Sequence, residues 1–90
     1  MSYRVRYTKA AREDLHRLYA FLPARDAVAK SIAFLQDSPF TCRKAATDTP
    51  FLRELIIPFG AAGYVALFEI DDHETITILA IRHQREDDYH

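Results

Sequence analysis

Three runs in the second half of the chain decide the fold: FLRELII (51–57), YVALFEI (64–70) and TITILAI (75–81). Each is seven residues long, rich in β-branched and aromatic side chains, and bounded by turn residues, which is the pattern of a β-strand. Pro58-Phe59-Gly60-Ala61-Ala62-Gly63 separates the first two, and Asp71-Asp72-His73-Glu74 makes a tight hairpin between the second and third. The last two runs are almost continuously apolar, so they are expected at central positions, covered on at least one face by helices.

Working outward, Tyr3, Val5 and Tyr7 alternate with Arg4 and Arg6, the period-2 signature of a strand with one buried face. Thr8 stands where a helix N-cap belongs, and Glu13 and Asp14 suit the positive end of a helix dipole. Ala11, Leu15, Leu18, Tyr19 and Leu22 fall on one helical stripe, which Pro23 is expected to end. Asp26 then caps a second helix with the stripe Val28, Ile32 and Leu35, closed by Asp37-Ser38-Pro39. Residues 38–50 read as loop. The order is β-α-α-β-β-β: an α+β fold in which a helical hairpin packs on a largely antiparallel four-stranded sheet. Its expected core is Leu15, Leu18, Tyr19, Val28, Ile32, Leu35, Leu55, Phe68, Ile76 and Ile78. Ninety residues without repeats or linkers form one domain, 1–90.

Composition narrows the function. The lone cysteine, Cys42, excludes an internal disulfide and any cysteine-rich zinc site, and fits a reducing compartment. No apolar run approaches a membrane span and the N-terminus has no signal-peptide pattern, so the expectation is a cytoplasmic protein without membrane contact. Residues 1–53 carry ten Lys/Arg against five Asp/Glu, and residues 54–90 two against eight. A protein that grips phosphates throughout shows a clear basic excess, so nucleic-acid contact here would need a local patch. The best patch is Arg4 and Arg6 with Lys9 and Arg12; an edge strand guarded by charge reads the same way. Sequence-specific DNA binding by the chain alone is not expected.

Nine polar or ionisable residues, Arg82-His83-Gln84-Arg85-Glu86-Asp87-Asp88-Tyr89-His90, follow directly on the last strand, where a rigid scaffold presents side chains to a partner. His83, Asp87, Asp88 and His90 match no metal motif of fixed geometry. Arg43 and Lys44 follow Cys42 directly, yet no histidine is near it in sequence, and it reads as a passive thiol. Gly60-Ala61-Ala62-Gly63 is too short for a phosphate loop and opens a strand, not a helix. No cofactor is expected.

The element order, the N-terminal YRVRYTKAAREDL, the Phe-Gly-Ala-Ala-Gly-Tyr turn and the ending ILAIRHQREDDYH resemble the RelE/ParE superfamily of type II toxins over the whole chain, above all its plasmid-stabilisation group. That resemblance implies a toxin that inhibits growth and is neutralised by a cognate antitoxin. Some members of the superfamily cleave messenger RNA on the ribosome; others poison DNA gyrase. A ribonuclease needs a base for the 2′-OH, cations for the phosphorane-like charge and an acid for the leaving oxygen. The resemblance assigns such a reduced catalytic set to Arg85, His83, Arg53 and Tyr89. Arg82, His83 and Arg85, just past a buried strand that fixes where they point, are the expected target-binding residues. Ribonuclease members often carry an arginine just after the Gly-aromatic step, and here that position is Val65. The 51–57 run offers Arg53 but no lysine pair and the 64–70 run has no cation, which favours a binding toxin directed at a machine such as gyrase. The alternatives are a ribosome-dependent endoribonuclease and a degenerate member that only binds its antitoxin.

Overall fold

The computed structural model describes residues 2–19, 22–45, 48–59 and 63–83, with no side-chain description at 19 and 22–24. The elements run β1 (Arg4–Tyr7), α1 (Lys9–Tyr19), α2 (Leu22–Asp37), a 3₁₀ turn (Pro39–Thr41), β2 (Arg43–Lys44), β3 (Leu52–Ile57), β4 (Tyr64–Ile70) and β5 (Thr75–His83). They form one five-stranded sheet in the order β1-β5-β4-β3-β2. Only β1 and β5 pair in parallel; the other three pairings are antiparallel. The two helices contact each other, α1 lies against β5 and α2 against β3. The expected architecture stands, with one strand more. Arg43 and Lys44, read as loop, pair with Glu54 and Arg53 and make a second charged edge opposite Arg4 and Arg6 on β1.

Thr8 is the N-cap foreseen for α1. Its hydroxyl oxygen accepts the Ala11 N–H at 3.1 Å, and its carbonyl accepts the Arg12 N–H at 2.9 Å. Three local expectations change. Glu13 and Asp14 fall in the second turn of α1, past the reach of the N-terminal dipole. Leu22 and Pro23 open α2 instead of closing α1, because a proline in the first turn gives up an N–H that has no helical partner there. Asp26 is therefore inside α2 and not its cap.

Ladder register assigns the two faces. Leu55 and Ile57 of β3, Tyr64, Ala66, Phe68 and Ile70 of β4, and Ile76, Ile78 and Ile81 of β5 face the helices and join Ala11, Val28, Ile32 and Leu35 in one core. Of the residues expected there, Leu15 and Leu18 are only partly buried against it, and the side chain of Tyr19 lies outside those described. The register breaks once. Leu67 pairs with Ala80 but Phe68 with Ile78, so Leu79 is an extra residue in β5. A bulge of this kind reverses the alternation beyond it. Ile81 and His83 therefore take the helix face, and Arg82 the open face.

Candidate functional site

The sequence pattern ends the last strand at Ile81 and makes Arg82 the first residue of a polar tail. Instead, Arg82 and His83 are strand residues, laddered to Val65 and Tyr64 of β4. As neighbours on a strand they project to opposite faces. Arg82 is exposed on the open face; His83 is half-buried on the helix face. They do not form one cationic cluster.

What holds this end in place is local and specific. Gly63 sits at φ +91°, and a Cβ there would stand 2.4 Å from the Ile57 carbonyl oxygen and 3.1 Å from the Phe59 nitrogen. Only glycine lets the chain return this closely, so that Tyr64 can pair with Ile57. The Tyr64 ring is stacked on Phe59 (centroids 5.9 Å apart, 25° between planes) and meets His83 edge-on at 5.5 Å and 89°. On the other side, β1 stops at Tyr7, opposite Ile78, and leaves the rest of β5 without a strand partner. Side chains from the start of α1 substitute for the missing strand. The Thr8 hydroxyl donates to the Leu79 carbonyl at 3.0 Å, and the Asp14 carboxylate accepts the Ile81 N–H at 2.9 Å. The other Asp14 oxygen takes Arg17 at 3.3 Å. Residues 79–83 are thus aimed by the bulge, the Thr8 and Asp14 bonds and the aromatic stack.

Arg53 is placed elsewhere. It lies four residues from Ile57 along β3 and two strands from β5, about 16 Å from His83 by ladder geometry. Its guanidinium donates to the carbonyls of Pro50 (2.7 Å), Cys42 (2.8 Å) and Phe40 (3.2 Å), and it lies 5.3 Å from the centroid of the Phe40 ring. The structure does not bring Arg53 to His83. Arg85 and Tyr89 lie outside the described residues, as do Asp87, Asp88 and His90. Arg6 and Arg4 are exposed on the open face, roughly 15 Å and about 20 Å along the sheet from Arg82, and Lys9 and Arg12 are exposed on α1.

Cys42 is buried, and burial pushes its thiol above the usual range, with Arg53 opposing in part. This environment disfavours the thiolate. Among the described residues no group of three or more His, Cys, Asp or Glu is placed to hold a metal, and no helix is long and apolar enough to cross a membrane. Sequence reasoning missed the aromatic pair Phe59 and Tyr64; both lie in the quoted turn motif, but stacking across a turn leaves no periodic signal. It also missed the second use of Asp14.

The family model for the ParE toxin of the type II toxin–antitoxin system parDE matches residues 5–88. The chain belongs to this family. Among solved structures, it is 32% identical to a chain of the toxin–antitoxin complex RelBE2 from Mycobacterium tuberculosis, covering 92% of this chain and 99% of that one with a TM-score of 0.65. A mutant RelE toxin from E. coli in the free state shares the fold at 15% identity, covering 98% of this chain and 90% of that one with a TM-score of 0.75. A chain of the chromosomal ParDE system from P. aeruginosa shares it at 20% identity, covering 91% and 96%, with a TM-score of 0.66. No curated protein matches the chain in sequence. It is a toxin of a type II toxin–antitoxin system, and its described fold is the RelE-like one.

Proposed function

We propose that this toxin stops growth by binding a cellular machine, most directly DNA gyrase, and that a cognate antitoxin neutralises it inside the cytoplasm. The observation that carries this reading is the engagement of Arg53. Its guanidinium already serves three main-chain carbonyls, so the one cation of β3 is withdrawn from the site end of the sheet. A phosphorane-like transition state needs several cations aimed at one point. Here Arg82 stands on the open face and His83 on the helix face, against the ring of Tyr64, which in turn stacks on Phe59. Such a surface suits protein contact, where a few aromatic and arginine anchors carry most of the affinity.

A second reading, ribosome-dependent messenger-RNA cleavage, is favoured by one detail: Arg82 is directly across the ladder from Val65, so a cation occupies that level of the open face. In that case Arg82, His83, Arg85 and Tyr89 supply the chemistry. Induction without the antitoxin separates the two. Filamentation with DNA-damage induction, together with inhibition of supercoiling by purified gyrase, is the expected result. Rapid translation arrest with cut transcripts would put the nuclease in its place, and normal growth would leave only antitoxin binding. Arg85→Ala should abolish growth inhibition while leaving the melting temperature nearly unchanged; intact toxicity would remove the tail arginine from the mechanism.

A further inference from the structure

At the other end of the sheet from His83, a cavity of about 300 Å³ is lined by Tyr3, Phe40, Phe51, Ile70, Asp71, Asp72 and His73. Its size is at the lower limit of ligand sites, room for one or two side chains and not for a cofactor. Phe40 and Phe51 meet edge to face at 6.3 Å and stay 49% and 54% exposed, unusual for two large rings that could have packed on the adjacent core. Asp71 and Asp72 line the mouth of the cavity, and among the described residues neither is in a salt bridge with a lysine or arginine; His73, also on the lining, meets Glu74 at 3.6 Å. The Asp71 carboxylate is oriented by the Thr77 hydroxyl, and that of Asp72 by the Glu74 N–H at 2.8 Å. Both carboxylates are fixed rather than swinging free. Phe40 already accepts a cation on its ring, that of Arg53.

We propose that this cavity receives an arginine or lysine side chain of the antitoxin. Its aliphatic stem lies against Phe51, Tyr3 and Ile70, and its charged head reaches Asp71 and Asp72. Long cationic side chains suit such a site because stem and head have opposite needs: one is apolar, the other wants carboxylate or ring faces. Two carboxylates held in place without a lysine or arginine partner offer complementary charge to a cation of the antitoxin on docking. This inference rests on the antitoxin reading above and places an antitoxin contact away from Arg82 and His83, the residues read as facing the target.

The test is calorimetric titration of the purified toxin with the antitoxin encoded beside it. Asp71→Asn combined with Asp72→Asn keeps an acceptor oxygen for Thr77 and for the Glu74 N–H while removing both charges. With melting temperature and circular dichroism unchanged, the double variant should bind the antitoxin about tenfold or more weakly, and lose much of the salt dependence shown by wild type. Phe51→Leu should weaken binding roughly two- to fivefold by removing the ring face. Equal affinity of wild type and double variant overturns the cavity assignment and leaves the antitoxin reading standing. A wild-type toxin that does not bind the antitoxin overturns both. Should the toxin alone self-associate, and the double variant not, a second copy is the occupant and the assignment is wrong.

Discussion

Arg53 and Cys42 share one corner of the molecule, and each makes a prediction. The Arg53 guanidinium donates to three carbonyls that belong to two different segments, the 3₁₀ turn with its following residue and the turn before β3. A lysine has the charge but not the planar fork, and it reaches one of these oxygens at a time. Arg53→Lys should destabilise the protein by about 1–3 kcal/mol in chemical denaturation, a typical loss when carbonyls are left without donors. Cys42 sits beneath that clamp. Because burial raises the folded thiol above its usual 9.0, the neutral form is favoured in the native state. The resulting stability is fully present below pH 9 and is lost as pH rises through the higher folded value. Iodoacetamide should therefore modify Cys42 slowly at pH 8 and much faster in Arg53→Lys or in denaturant. Equal rates in native and unfolded protein would mean the thiol is not covered.

At the scale of elements, β5 depends on α1 for its last five residues. Thr8 has two tasks, capping α1 and holding the Leu79 carbonyl, and Asp14 accepts the Ile81 N–H where β1 has ended. Thr8→Val removes both bonds at little change in shape and should lower stability by about 1–2 kcal/mol. Asp14→Ala strands a partly buried N–H and should lower it by about 1–3 kcal/mol. The two losses should differ in consequence. Asp14→Ala loosens the strand that presents Arg82 and His83, so amide exchange should quicken at Ile81–His83 and toxicity should fall while α1 persists. Unchanged exchange at those amides would show that the bulge and the Tyr64 stack hold the strand end by themselves.

For the whole molecule, a chain of ninety residues has little stability to lose, and its core is continuous from α2 through all three long strands. Leu35 and Phe68 are fully buried on the two layers. Truncating either to Ala should remove about 3–5 kcal/mol, enough to leave the free toxin largely unfolded at 37 °C. Antitoxin should restore folding of both variants, because a partner that binds only the native state stabilises it by mass action. Leu35→Ala melting like wild type would place the α2 face wrongly.

The elements themselves were legible without a structure. Alternation in residues 3–7, the stripe Val28-Ile32-Leu35 and three apolar runs bounded by turns are local patterns, and local patterns follow from the 2.0 and 3.6 periods of strand and helix. The Thr8 cap and the hairpin at 71–74 were equally legible, because each rests on residues within one turn of chain. What sequence could not determine was which way side chains face once the period is interrupted. One extra residue at Leu79 moves Ile81 and His83 to the core side and Arg82 to the other, so two neighbours that read as a single cationic site are separated by the thickness of the sheet. Likewise Arg53 reads as a free strand cation. Its partners, at positions 40, 42 and 50, are set by the pairing of β2 with β3 and by the 3₁₀ turn beside it. Sequence alone determined the two helices, the four longer strands and their order, since those depend on near neighbours; the short edge strand β2 and the direction of each charged group were decided by tertiary structure, since ladder register and distant carbonyls set them.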